Sequence, residues 1–287
     1  MTWNTKAISD NVHEIKFNDI AAGWEQYILL SSDRHHDNPH ANHKLEKKHL
    51  DMARERNAPI VDNGDLFCAM QGRYDSRRSQ TSLRPEHRTD DYFGALIDTA
   101  EEFYKPYADL FTVIGKGNHE SSILKHNNID LTKMLVKRLN DHTDNPVYSG
   151  GYGGYVILRF NAHKTRRSAI ILKYYHGSGG GGAVTRGVIQ TNRRSTYMPD
   201  ANIIMTGHIH EAWIMTTPRE RINRHGKLSL DTQWHISTPT YKEEYGQGAG
   251  GYHVESGRPP KPVGCAWLKF WIDGQGVVKW RVELDVL

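Results

Sequence analysis

Thiols are nearly absent from this chain of 287 residues: only Cys68 and Cys265 occur, and no CxxC pair. That excludes a disulfide framework, a zinc ribbon and a dithiol redox motif, and it suits a reducing compartment. Long apolar runs are missing as well. No stretch approaches the roughly 20 apolar residues that a spanning helix needs, and the opening MTWNTKAISDNVHEIKF has no apolar signal core. The expected location is therefore cytoplasmic, with no membrane partner. Neither sign of charge dominates, since 37 Lys and Arg face 33 Asp and Glu for a net +4. No internal repeat and no long linker divides the chain, so residues 1–287 are expected to form a single domain. Hydrophobic content is only 37% and mean hydropathy is −0.68, yet 10% of the residues are aromatic, which excludes a disordered chain.

What is present is a layered α/β pattern. Short apolar runs at Gln26 to Ser32, Pro59 to Val61 and Leu110 to Ile114 read as buried strands. They alternate with helical spacing at Asn42 to Arg56, Asp91 to Tyr104 and His119 to Asn140, the last broken near Asn127 and Asn128. After Pro146 the signal changes to strands at Tyr155 to Phe160, Ser168 to Tyr175, Ala201 to Thr206 and Ala212 to Thr217, then Leu228 to Ser237, Ala266 to Ile272 and Val277 to Leu284. Residues 273 to 276 (DGQG) read as the hairpin turn joining the final pair. The expected architecture is two mixed β-sheets packed face to face, with helices outside.

Seventeen histidines are the other distinctive count, because histidine is both a common metal ligand and a frequent acid or base. Five short segments place metal-ligand residue types directly after an apolar strand: Asp33 with His35, Asp65, Asn118 with His119, His176, and His208 with His210. Loops at the carboxyl ends of strands are where layered α/β folds build sites. The donors Asp33, His35, Asp65, Asn118, His176, His208 and His210 are too many for one tetrahedral zinc, and none is a thiolate. Two divalent ions sharing Asp65 would use them, one taking Asp33, His35 and His210 and the other Asn118, His176 and His208.

In order, these segments spell DRH at 33 to 35, GD at 64 to 65, GNHE at 117 to 120, His176, and GHIH at 207 to 210. The sequence thereby resembles the calcineurin-like metallophosphoesterase superfamily, whose motifs run DxH, GD, GNH(D/E), H and GHxH. The resemblance spans Asp33 to His210 and implies a β-sandwich flanked by helices, the ligand sharing just described, and hydrolysis of a phosphate ester by a hydroxide bridging two metals. It implies a catalytic role for His119, next to ligand Asn118 but not itself a ligand. One departure matters: Leu66, Phe67 and Cys68 follow Asp65, without the acidic residue and arginine of the phosphoprotein phosphatases, so a protein phosphatase is disfavoured. Nothing after His210 matches a family motif.

Other features carry two readings each. Glu120 reads as a carboxylate favoured by a helix N-terminus rather than as a catalytic group. His36 and Asp37 are either partners that orient ligands or loop polars. The GSGGGGA segment at 177 to 183 lacks the Lys of a phosphate-binding loop and reads as a flexible loop beside His176. Arginines 73, 77, 78, 84, 88, 186, 193 and 194, with Tyr74, Tyr197 or Trp213, either line a groove for a polyanion or form ordinary surface. Trp267, Phe270, Trp271 and Trp280 read as packing residues. Residues 241 to 262 are expected to form a loop over the site.

The expected activity is dinuclear metal-dependent phosphodiester hydrolysis by a nuclease or nucleotide phosphodiesterase, acting on DNA or nucleotides. The alternatives are a phosphomonoesterase acting on a small substrate and a non-catalytic interaction module of the same fold. Mixed His, Asp and Asn donors suit Mn²⁺ first, then Fe, Zn²⁺, Co²⁺ or Ni²⁺, better than Mg²⁺.

Overall fold

The computed structural model describes residues 3–18, 20–71, 83–162, 166–182, 184–246 and 250–287. Two mixed sheets form its centre. The first runs β1-β2-β7-β8-β9-β11-β10 and the second β13-β12-β3-β4-β5-β6. Their strands are β1 (Trp3–Ser9), β2 (Val12–Phe17), β3 (Glu25–Ser31), β4 (Ile60–Asp62), β5 (Phe111–Ile114), β6 (Tyr148–Ser149), β7 (Gly153–Ala162), β8 (Arg166–Tyr175), β9 (Ile203–Thr206), β10 (Trp213–Ile222), β11 (Leu228–Ser237), β12 (Gly264–Ile272) and β13 (Val278–Val286).

The two sheets face one another across an apolar core that draws on both. Phe160 of β7 meets Phe270 of β12 with ring centroids 5.0 Å apart, and Trp234 of β11 meets Trp280 of β13 at 5.0 Å. Phe270 and Trp280 are also opposite each other in the β12–β13 register. These residues pack as the sequence suggests. The turn of that hairpin forms because Asp273 Oδ1 accepts from the backbone N–H of Gln275 and of Val277.

Strands β3, β4 and β5 are consecutive parallel neighbours in the second sheet. That position explains why all four residues of β5, FTVI, are buried, because a strand covered on both faces has no solvent side; the Thr112 hydroxyl among them donates to the Ile60 carbonyl. Helix α1 (His43–Glu55) starts where the Asn42 side chain accepts from Leu45 N, and it packs on β3 and β12. Helix α2 (Tyr92–Tyr104) is capped by Asp91 and α4 (Leu131–Asn140) by Asp130. Between them α3 (Asn118–Asn127) ends because Asn128 takes a left-handed conformation, φ 57°. The break expected at 127 to 128 is thus a helix terminus with a chain reversal. Helix α5 (Ile189–Tyr197) leads into Met198, which packs with Ala201, Ile204 and Tyr175 apart from the main core.

Several elements differ from the sequence reading. The first, antiparallel hairpin of β1 and β2 went unread, as did β6, α5 and the short α6 (Tyr252–Glu255). The strand expected at Ala212 to Thr217 continues to Ile222 because its whole length pairs with β11. Of the residues weighed for a polyanion groove, arginines 73, 77 and 78 and Tyr74 lie outside the described residues. Among the described residues no helix is long and apolar enough to cross a membrane.

Candidate metal centre

Each of the five motif segments leaves the carboxyl end of a strand: DRH after β3, GD after β4, GNHE after β5, His176 after β8 and GHIH after β9. Strands from both sheets thus deliver the site, and the backbone bends sharply to do so. Asp33, His35, Asp65, His208 and His210 all have positive φ, between 46° and 71°. That conformation is costly for residues with side chains and persists where the surroundings hold it in place. Gly64, with φ +92°, shows why glycine stands before Asp65: an added Cβ would lie 2.3 Å from the backbone nitrogen of Gly117. Direct backbone contact between the GD and GNHE loops brings Asp65 to Asn118.

Two groups of ligand atoms result, each within 4.8 Å: Asp33, His35 and His210, and Asp65, His176 and His208. In the first, His210 Nε2 lies 3.2 Å from Asp33 Oδ1 and 3.2 Å from His35 Nε2. In the second, His176 Nε2 lies 3.1 Å from Asp65 Oδ2 and 3.3 Å from Asn118 Oδ1, and His208 Nδ1 is 2.7 Å from the same Asn118 oxygen. The groups adjoin, since His176 Nε2 is 4.0 Å from Asp33 Oδ1. All seven positions singled out by sequence are therefore brought together.

Further contacts hold these side chains in orientation. His208 N–H donates to Asp33, and His119 N–H donates to Asp65 Oδ1, leaving Asp65 Oδ2 toward His176. His176 Nδ1 donates to the Asn63 carbonyl, which aims Nε2 into the cluster. Glu120 accepts from the backbone N–H of Asp65, Phe67 and Gly117, so it is a tie between two ligand loops rather than only a helix-terminal charge. Asp37 accepts from Cys68 N and Ala69 N and fixes the loop after Asp65. His36 instead packs edgewise on His43 and beside Phe103 and Tyr104, away from the ligand atoms.

The charges of these groups are set by burial and by their contacts with one another. Burial works against ionising Asp33 and Asp65, yet histidines, His210 for Asp33 and His176 for Asp65, hold both below the usual carboxylate range. Burial, with His119 and His210 next, pushes His35 well down, and burial followed by His176 lowers His208. His176 is opposed by burial but lifted to about 10 by Asp65 and Asp33. Carboxylates held low, the His35 and His208 imidazoles pushed down by burial and an asparagine oxygen form a set of oxygen and nitrogen donors. Such a set fits divalent cations.

His119 is buried and its Nδ1 lies 2.6 Å from the Cys68 carbonyl, a geometry in which Nδ1–H donates and Nε2 is left toward the cleft, 3.8 Å from Asp65 Oδ2. The sequence reading missed one neighbour. The Cys68 thiol lies within ligand distance of His35 and His119, so a sulfur stands beside an otherwise oxygen and nitrogen set.

A cleft of about 920 Å³ opens over the cluster. It is lined by His35, Asp65, Asn118, His119, His208 and His210, by glycines 179, 180 and 181, and by Lys242, Tyr252, His253, Arg258 and Lys261. Of the segment expected as a loop over the site, Lys242 and residues between 251 and 261 line the cleft, part of them in α6, and residues 247–249 lie outside the described residues. The arginine groove is not assembled from the described positions: Arg194 is buried against Tyr175, Arg84 pairs with Glu86 and donates to the His36 carbonyl, and Arg88 donates to the Leu83 carbonyl. Trp213 Nε1 donates to the Arg186 carbonyl.

Two facing mixed sheets with outer helices, five motifs at their strand ends and a cluster of candidate ligands between them are the architecture that the resemblance in the sequence implies. No protein-family model matches the chain, and no curated protein matches it. Among solved structures it is similar to a putative 5′-nucleotidase from Staphylococcus aureus, at 13% identity and a TM-score of 0.47, covering 92% of this chain and 54% of that one. It is similar to zinc-complexed Vps29 from Entamoeba histolytica, at 10% identity and a TM-score of 0.35, covering 90% and 99%. A predicted phosphoesterase from Streptococcus pneumoniae is similar at 12% identity and a TM-score of 0.31, covering 91% and 100%. Likenesses this distant transfer no residue role, substrate or partner.

Proposed function

We infer that the chain is a dinuclear metal-dependent phosphoesterase that hydrolyses phosphodiesters. The observation that carries the reading is the convergence of seven oxygen and nitrogen donors from five loops on one cluster at the floor of an open cleft. Asp33, His35 and His210 would hold one cation and Asn118, His176 and His208 the other, with Asp65 shared. When bound, two divalent cations supply a water activated near neutral pH and neutralise phosphate charge.

The chain's own residues supply the remainder. The strand-end loops are locked to one another by Glu120 and by the Gly64–Gly117 contact, so the donors are placed before substrate arrives. His119, fixed by the Cys68 carbonyl, presents Nε2 to the cleft, where a protonated ring donates to the leaving oxygen. Mn²⁺ is the favoured metal, with Fe, Zn²⁺, Co²⁺ and Ni²⁺ as alternatives. Nucleotides or DNA are the favoured diester sources.

The test uses metal-stripped protein with and without Mn²⁺, assayed against bis(p-nitrophenyl) phosphate, p-nitrophenyl phosphate and single- and double-stranded DNA, with His119→Ala in parallel. Metal-dependent cleavage of the diester, lost in the variant, supports the reading. Cleavage of the monoester alone makes it a phosphomonoesterase. No cleavage of any substrate by protein shown to hold two metals would sink the catalytic reading in favour of an interaction module.

A further inference from the structure

The part of the cleft lining outside the ligand cluster carries cations, and it adjoins the cluster where the His253 ring lies 5.5 Å from that of His210. Lys242, Arg258 and Lys261 line it together with His253 and Tyr252. Two of the three are held from outside the cleft. Lys242 Nζ lies 2.7 Å from Glu244 Oε1, and Lys261 Nζ lies 2.5 Å from Glu211 Oε1, yet neither glutamate lines the cleft. Glu244 instead lines a smaller cavity of about 260 Å³, which Lys242, His253 and Lys261 separate from the cleft. The other Glu244 oxygen binds both Nδ1 and the backbone N–H of His253, so that ring is fixed as well.

Arg258 is different. It is exposed and has no carboxylate within ion-pair distance among the described residues. Its guanidinium lies 4.8 Å from the Tyr252 ring centroid and donates to the Tyr252 hydroxyl. The backbone beneath it is anchored: Arg258 N–H donates to the His253 carbonyl, and the Tyr245 hydroxyl donates to the Arg258 carbonyl. An arginine with an anchored backbone and a stacked head keeps several N–H donors for a planar or tetrahedral anion. Within the wall the acid that faces the same cleft is Glu255.

We propose that this wall, with Arg258 at its centre, is a subsite for a second phosphate of the substrate, so that the preferred substrate is a phosphodiester carrying a further phosphate, such as a 3′-phosphorylated nucleotide ester. The proposal rests on the phosphoesterase reading for the identity of the first phosphate. A cleft of about 920 Å³, lined by both the cluster and Arg258, has room for a nucleotide.

The test compares two chromogenic esters and their products in the full chain with Mn²⁺. One ester is thymidine 5′-(p-nitrophenyl phosphate); the other adds a 3′-phosphate. Binding is read by calorimetry with thymidine 5′-monophosphate against thymidine 3′,5′-bisphosphate. The expected result is about tenfold or more preference for the 3′-phosphorylated member in kcat/KM and in Kd, collapsing toward unity in Arg258→Ala and kept in Arg281→Ala, a change to an exposed arginine on β13. Equal values for the two members of each pair, or a preference that survives Arg258→Ala, would overturn it. The two readings fail separately. A binding preference without hydrolysis of any ester removes the phosphoesterase reading and keeps the subsite, whereas hydrolysis without preference removes the subsite alone.

Discussion

His35 Nε2 and His210 Nε2 face each other 3.2 Å apart, and the Nδ1 atoms of both rings are buried without a hydrogen-bond partner among the described residues. Two imidazole nitrogens at that separation share at most one proton, and Asp33 Oδ1 lies equally close to His210. The proposed function makes these two nitrogens neighbouring ligands of one cation. His210→Ala is accordingly expected to reduce bound metal from two ions toward one, measured by elemental analysis after dialysis. An unchanged metal content would remove His210 from the ligand set.

His119→Ala separates catalysis from metal holding. The side chain contacts the Cys68 carbonyl and faces the cleft, while its backbone N–H, which the substitution keeps, is what holds Asp65. Turnover should fall about 10² to 10⁴-fold with both metals retained. Loss of a metal in this variant would contradict the assigned role.

Glu120 links the two loops that carry Asp65 and Asn118. It is buried, and burial followed by Asp65 raises it to about 8, although three backbone N–H groups oppose the shift. Glu120→Ala leaves those donors without a partner, and each costs about 1–3 kcal/mol. Chemical denaturation should show a loss of several kcal/mol together with weaker metal binding. Glu120→Gln, which retains an acceptor oxygen, should recover part of both, and equal effects from the two substitutions would argue against the hydrogen bonds as the cause.

Arg34 stands between ligands Asp33 and His35 but points the other way, into the core. Its Nε lies 2.6 Å from Asp62, Nη1 2.6 Å from Glu46, and the guanidinium sits 5.4 to 5.6 Å from the rings of Tyr104, Phe111 and Tyr241. Arg34→Met strands two buried carboxylates and should cost about 3–5 kcal/mol, read by urea unfolding. A cost under about 1 kcal/mol would mean that the carboxylates protonate or rehydrate freely.

His235 supplies a pH dependence away from the cluster. Its Nε2 meets Ser195 Oγ at 3.0 Å, and burial, with Arg194 and Arg219 next, lowers it from 6.5 to about 4. As pH falls the unfolded chain takes up this proton first, so the stability contribution is complete above about 6.5 and is lost toward about 4. Tm should therefore drop between pH 7 and 4.5, and less steeply in His235→Gln. An identical slope in the variant would exclude His235 as a source.

Local chemistry was enough to read much of this protein. Apolar runs marked β3, β4 and β5, helical spacing began at Asn42 and Asp91, whose side chains cap α1 and α2, and all seven candidate ligand positions stood out because each follows a strand, where a rigid sheet hands a polar residue to a loop. The N-terminal hairpin escaped notice because its residues alternate charged and apolar without a long run, and its place beside β7 depends on pairing with a strand more than 130 residues later. Arg34, Glu120 and Asp37 could not be assigned from sequence either. Whether a charged residue next to a motif faces solvent, core or a neighbouring loop is decided by which backbone abuts it, here Gly64 against Gly117 and Asp37 against Cys68. The composition of the loop at 241 to 262 is plain in the sequence, but its meeting with His35 and His210 across one cleft is a long-range closure that only the folded chain makes, because no local interaction specifies where a polar loop comes to rest.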